Sequence, residues 1–228
     1  MPLPSRARRP GPAASGPLAT ACLLACLLAA GPAAGSAADP PLLDAVRAGD
    51  RAAVQALLAE GADVKGPAAD GTTALHWASR LDLPGVASIL LEAGADAANA
   101  NAFGVTPLEL AATNGSAPML DTLLRAGADP NAPGAGGETA LLTAARAGRA
   151  DAVRTLVAHG ADVNAAQRAG QTALMWAAAE GHVETLQALI DAGADVHART
   201  VVPEVPLRTG LEGPAPHGFT PLLFAVRA

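Results

Sequence analysis

Tyrosine is absent from this sequence, and three Phe and two Trp are the only aromatic residues among 228. A core without bulky rings must be filled by Ala, Leu and Val, which demands closely spaced backbones. Tightly packed helices meet that demand better than a thick sandwich of sheets. Cysteine is nearly absent too, with Cys22 and Cys26 the only pair, both close to the N-terminus. No acidic residue precedes Asp39, yet the whole chain carries a net charge of −6. An acidic chain is poorly suited to phosphate backbones, so nucleic acid is not an expected partner.

The segment before Asp39 reads differently from the rest. Arg6, Arg8 and Arg9 make a basic start, LATACLLACLLAA forms a short apolar run, and Ala34-Gly35-Ser36-Ala37-Ala38 supplies small residues. That order describes a secretory signal peptide over 1–38, with cleavage near Ala38. Two other readings of the segment stay open. Pro17 to Ala38 is long enough to cross a bilayer, although Gly31, Pro32 and Gly35 weaken it as a helix. Leu23-Leu24-Ala25-Cys26 resembles a lipobox, which would put lipid on Cys26. A membrane is expected as a partner only in those two cases. Cleavage leaves no thiol, hence no disulfide, thiolate catalysis or cysteine metal site. It also removes three Arg and no acid, taking the net charge from −6 to −9.

What is present in abundance is repetition. Gly-Ala-Asp begins at 61, 94, 127, 160 and 193, and Gly-x-Thr-(Ala/Pro)-Leu places its Thr at 73, 106, 139 and 172, so that one interval separates every copy from the next. A fixed period of thirty-three signals a stacked array. The spacing has a physical reading. Thr can cap a helix N-terminus, and Pro or Ala follows as the first helical residue. The short helices ALHWAS, PLELAA, ALLTAA and ALMWAA end nine positions after each Thr, at Gly115, Gly148 and Gly181, or at Asp82 in the second unit. A second helix then spaces apolar residues at i, i+3, i+4, as in Val54, Leu57, Leu58 and Leu186, Leu189, Ile190. Ala78, Ala111, Ala144 and Ala177 let neighbouring helices approach closely. Such a unit cannot bury its own apolar face, so neighbours must cover one another.

With DGTTALHWA at 70–78, GADVN at 160–164 and GFTPLL at 218–223, the chain resembles the ankyrin-repeat family. The resemblance implies an all-α solenoid of helix-turn-helix units joined by hairpin-like loops. Units fall at about 39–69, 70–102, 103–135, 136–168 and 169–201, with an incomplete sixth at 218–228. The family's His survives only as His76; Glu109, Leu142, Met175 and Leu223 replace it. Pro40 takes the Thr place in the first unit. Ala98 and His197 stand where Asn131 and Asn164 occur in other units, a change expected to alter local hydrogen bonding.

The period breaks once. Thr172 and Thr220 lie farther apart than one unit, and the fifteen extra positions fall within about 196–217, in a stretch with four Pro and no helical period. That insertion is expected to lengthen the loop between units five and six. The sixth unit has its first helix and lacks its second, which points to a fragment of a longer array.

Reactive constellations are not found. The five His have no metal-ligand spacing, and the recurrent Asp63, Asp96, Asp129, Asp162 and Asp195 sit one repeat apart, as turn residues would. Gly134-Ala135-Gly136-Gly137 is not a phosphate loop, since no strand or Lys accompanies it. Asn114-Gly115-Ser116 is a glycosylation sequon. Trp77 and Trp176 read as core. No catalytic residue, metal or cofactor is expected. The resemblance instead implies a concave groove made of loop tips and the exposed side of each first helix, binding another protein. Carried over by position it holds Asp70, Thr72, Arg80 and Leu81; Phe103, Val105 and Asn114; Glu138 and Arg146; Arg168, Gln171 and Glu180; and His217, Phe219 and Arg227. Exposed Phe and Arg are typical interface anchors. The expected protein is thus an exported, non-catalytic binding module, periplasmic or secreted, with a composition leaning bacterial. An alternative is the recognition arm of a larger exported enzyme or effector whose catalytic part lies beyond residue 228; another is a scaffold with broad, weak contacts.

Overall fold

The computed structural model describes residues 39–167, 170–200, 218, 220–222 and 225. The expected signal peptide over 1–38 lies outside the described residues. So do Arg168, His217, Phe219 and Arg227, and most of the insertion.

Among the described residues are ten α-helices in five pairs: α1 (Pro41–Arg47) with α2 (Arg51–Ala59), α3 (Ala74–Arg80) with α4 (Pro84–Glu92), α5 (Pro107–Asn114) with α6 (Ala117–Arg125), α7 (Ala140–Arg146) with α8 (Ala150–Ala158), and α9 (Ala173–Ala179) with α10 (Val183–Asp191). A 3₁₀ turn spans Ala135–Gly137, and the only β-pairing among the described residues is an isolated bridge between Ala166 and Thr172. The chain is an all-α solenoid. Helices this short, about two turns each, would not persist alone in water, because nucleation costs more than so few turns return. Packing holds them: α1, α3, α5, α7 and α9 form one row, and α2, α4, α6, α8 and α10 form the other.

The turns follow the residues that the spacing selected. Gly115, Gly148 and Gly181 take φ of 78°, 70° and 71°, and Asp82 takes the same left-handed region at 54°. At Gly148 the lack of a side chain matters twice, since a Cβ there would also come within 2.7 Å of the His182 ring. Ala78, Ala111, Ala144 and Ala177 are completely buried, which permits the close contact between first helices.

The second-helix row loses cover at its far end. Val54, Ala87, Leu120 and Val153 are completely buried, whereas Leu186, at the same register, is half-buried, and Ile190 is 46% exposed. Among the described residues no second helix follows α10, so the apolar stripe expected of Leu186, Leu189 and Ile190 is only partly covered.

Capping is uneven along the array. The Thr106 hydroxyl accepts from the Glu109 N–H at 3.2 Å, and Thr139 does the same from Leu142 at 3.4 Å. The Thr172 hydroxyl, expected to cap α9, makes no such bond; it is buried without a hydrogen-bond partner. Thr→Val should therefore separate the two positions. Thr106→Val is expected to cost about 1 kcal/mol, the usual worth of a lost cap. Thr172→Val should lie within about 0.5 kcal/mol of the parent, because a buried hydroxyl with no partner contributes nothing. Urea midpoints of the two variants measure this, and equal losses would refute it.

The described residues on either side of the insertion lie close together. In the preceding unit the Gly170 N–H donates to the Gln167 carbonyl, closing a tight turn. The corresponding pair in the next unit is Thr200 and Gly218, whose backbones abut so closely that a Cβ on Gly218 would strike the Thr200 carbonyl.

Candidate functional site

Five buried positions of one register lie three residues after the cap: Leu43, His76, Glu109, Leu142 and Met175. The two polar members each turn back on their own helix start. His76 Nδ1 accepts from the Thr73 N–H at 3.2 Å and lies 2.8 Å from the Thr73 hydroxyl. Val105 O can only accept, so the bond of 3.0 Å from Nε2 places the proton on Nε2. Burial, the largest effect on this ring, holds the imidazole below its ordinary range. Neutral His76 thus joins the second unit to the third. Glu109 supplies the matching bond in the next unit, with Oε2 accepting from the Thr106 N–H at 3.3 Å.

Other units are tied by different side chains. Nε2 of His182 lies 3.1 Å from the Arg146 carbonyl, which only accepts, so His182 donates across the turn. Asn131 donates to the Gly160 carbonyl at 3.0 Å and accepts from the Asp162 N–H at 2.8 Å; Asn164 repeats the pair with Gly193 and Asp195. Ala98 has no side-chain amide to continue this ladder, as its sequence implied. All five recurrent Asp accept from the N–H two positions on, at 2.8–2.9 Å, so they are turn residues.

The loop tips and the exposed side of the first helices carry the candidate residues. Phe103 is 70% exposed and Leu81 42%, and neither is needed by the core. Arg80 and Glu180 are exposed, while Val105 and Gln171 are half-buried. Several candidates are already engaged within the chain. Asp70 accepts from the Thr72 N–H at 2.9 Å, and that bond is the main reason its carboxyl sits below the usual range. Asn114 donates to the carbonyls of Ser79 and Arg80, both at 3.0 Å, which ties the third unit to the second and occupies the sequon side chain. Arg146 and Glu138 face each other fork to fork, with two N–O distances of 3.1 Å.

The core reading holds only in part for the tryptophans: Trp77 packs against the core, and both rings also reach the surface. Trp77 and Trp176 are half-buried, and guanidinium groups lie over their rings: Arg47 at 4.5 Å and Arg80 at 5.6 Å from Trp77, and Arg146 at 5.8 Å from Trp176. Arg47 also bonds Asp39 at 2.7 Å, which together with Asp44 raises its already high pKa. The physical reason is register. Each Trp stands four positions after its cap, one beyond the buried row, so its ring forms part of the wall of the face. The seventh position supplies the Arg. Sequence reasoning missed this, although Arg47–Trp77 and Arg146–Trp176 share one spacing that was there to be found.

Stacked helix pairs with an open face of loop tips, Trp–Arg walls and exposed apolar residues define a repeat-type interaction module. The family model described as ankyrin repeats (3 copies) matches residues 42–134 and 108–200, and the chain belongs to the ankyrin-repeat family. No curated protein matches the chain. Ankyrin repeats generally bind other proteins, and such domains are typically non-catalytic. Among the described residues no helix is long and apolar enough to cross a membrane.

Proposed function

We propose that this chain binds a partner protein through the face built by its loop tips and the exposed side of its first helices, acting by recognition and not by catalysis. The observation that carries this is the pair of exposed apolar side chains, Phe103 and Leu81, on the face that also holds the half-buried Trp rings. Rings and guanidinium groups of this kind are what interfaces use as anchors. The basic, then apolar, then small-residue order of the segment before Asp39 supports an exported location, periplasmic or secreted.

Capture of a partner from an extract of the source cell, with the tagged full chain as bait, tests the reading. The parent should retain one partner in stoichiometric amount, and Phe103→Ala combined with Leu81→Ala should weaken the affinity at least tenfold. Both side chains are exposed, so folding should be unaffected. Unchanged capture by the double variant would remove this face from consideration.

A further inference from the structure

The Trp–Arg walls stop in the middle of the array. Position seven of one unit lies over position four of the next, as Arg47 lies over Trp77 and Arg146 over Trp176. At the junction of the third and fourth units the same register pairs Thr113 with Thr143. Two small side chains replace an Arg and a Trp, and an open cleft of about 370 Å³ results, lined by both. Its apolar wall is Leu110 with Val105, and its polar wall holds Glu109, Glu138 and Arg146.

The lining of this cleft carries two carboxylates, Glu109 and Glu138, against one guanidinium. Glu138 stands at its rim, and the one guanidinium lining it, Arg146, is already engaged by that carboxylate. Further along the same face, Asp70, Glu180 and Arg80 form no ion pair among the described residues, two acids against one base. The whole chain is acidic as well, at −6.

We propose that the cleft is an anchor subsite for a lysine or arginine on a basic segment of a partner protein. The aliphatic stem lies on Leu110 and Val105, and the cation reaches Glu138. Long cationic side chains combine an apolar stem with a charged head, which matches the two walls. A partner segment with acidic anchors would meet like charge here. The proposal rests on the reading of this face as a binding surface, and it names what that surface recognises.

The chain carries its own reporter. Trp77 and Trp176 are its only tryptophans, and they stand one unit to either side of the cleft. A fluorescence titration of the full chain would use an acetylated octapeptide of alternating Lys and Leu, against the same peptide with Glu in place of Lys. The Lys peptide should bind saturably and more weakly at high salt, since exposed charges are screened. Glu138→Gln should weaken it at least fivefold by removing the charge, and Thr113→Leu should do so by filling the space. Arg146→Ala should tighten it about threefold, because the competing cation is gone. Glu92→Gln, on the second-helix row, should change it less than twofold.

The assignment is overturned if the Glu peptide binds as well as the Lys peptide, or if Glu92→Gln weakens binding as much as Glu138→Gln. It is overturned too if Thr113→Leu has no effect, or if the Lys peptide shows no saturable binding. The broader reading stands apart from these outcomes: it fails when Phe103→Ala with Leu81→Ala leaves capture of the natural partner intact, whatever the peptides do.

Discussion

Leu123→Ala is expected to cost about 3 kcal/mol of stability, within the range for fully buried leucines truncated to alanine. Leu123 is completely buried on α6, which packs on α5 in its own unit and on α4 and α8 to either side. The loss therefore falls on two interfaces between units as well as on the interior of one. In a quasi-one-dimensional array, weakening a central interface separates the two flanks. Urea unfolding of the variant should show a lower midpoint and a broader transition than the parent. Leu57 provides the contrast. It holds the same register in the first unit but is only half-buried, because among the described residues no second helix precedes α2. Leu57→Ala should cost about half as much. A cost below about 1 kcal/mol for Leu123→Ala, under the usual range for such a truncation, would contradict the stacked arrangement.

His76→Ala should cost about 3 kcal/mol at neutral pH, the sum of two orphaned backbone groups and a cavity. It leaves the Thr73 N–H and the Val105 carbonyl without their partner, the first buried and the second part-buried. The same residue predicts a pH dependence. Burial depresses its folded-state pKa below the ordinary 6.5, so between those two values the unfolded chain binds more protons than the folded one. Stability from His76 is complete above about pH 6.5 and is lost progressively as the pH falls from there to the folded-state pKa, below which the loss is constant. His76→Leu keeps the volume and has nothing to protonate. Subtracting its stability profile from that of the parent, from neutral pH down to about 4.5, isolates the slope. A flat difference would show that His76 is not held neutral by the fold.

The sequence by itself settled the local rules. The regular spacing, Thr and Pro at helix starts, Gly or Asp82 at the turns, and the apolar stripes of the second helices are set by contacts within one or two turns of chain, and the structure follows them. The buried Ala row was legible for the same reason: a small residue at a fixed register has one structural meaning. What lies between units was not legible. Whether Thr172 caps its helix depends on the local orientation of its hydroxyl. Whether Trp77 is core or wall depends on Arg47, in the preceding unit. The bonds of His76 to Val105 and of Asn114 to Ser79 exist only once two units are set side by side.

Among the candidate residues, Phe103 and Leu81 emerged exposed, while Asn114 and the Glu138–Arg146 pair were drawn into contacts within the chain. The cleft between Thr113 and Thr143 is a property of the stack and of no single unit. Turning and patterning act over a few residues, so the sequence determines them alone, whereas whether a Thr hydroxyl closes its cap is settled only in the fold. Which side chains meet across a junction depends on how adjacent units sit against each other, and that only the tertiary structure decides.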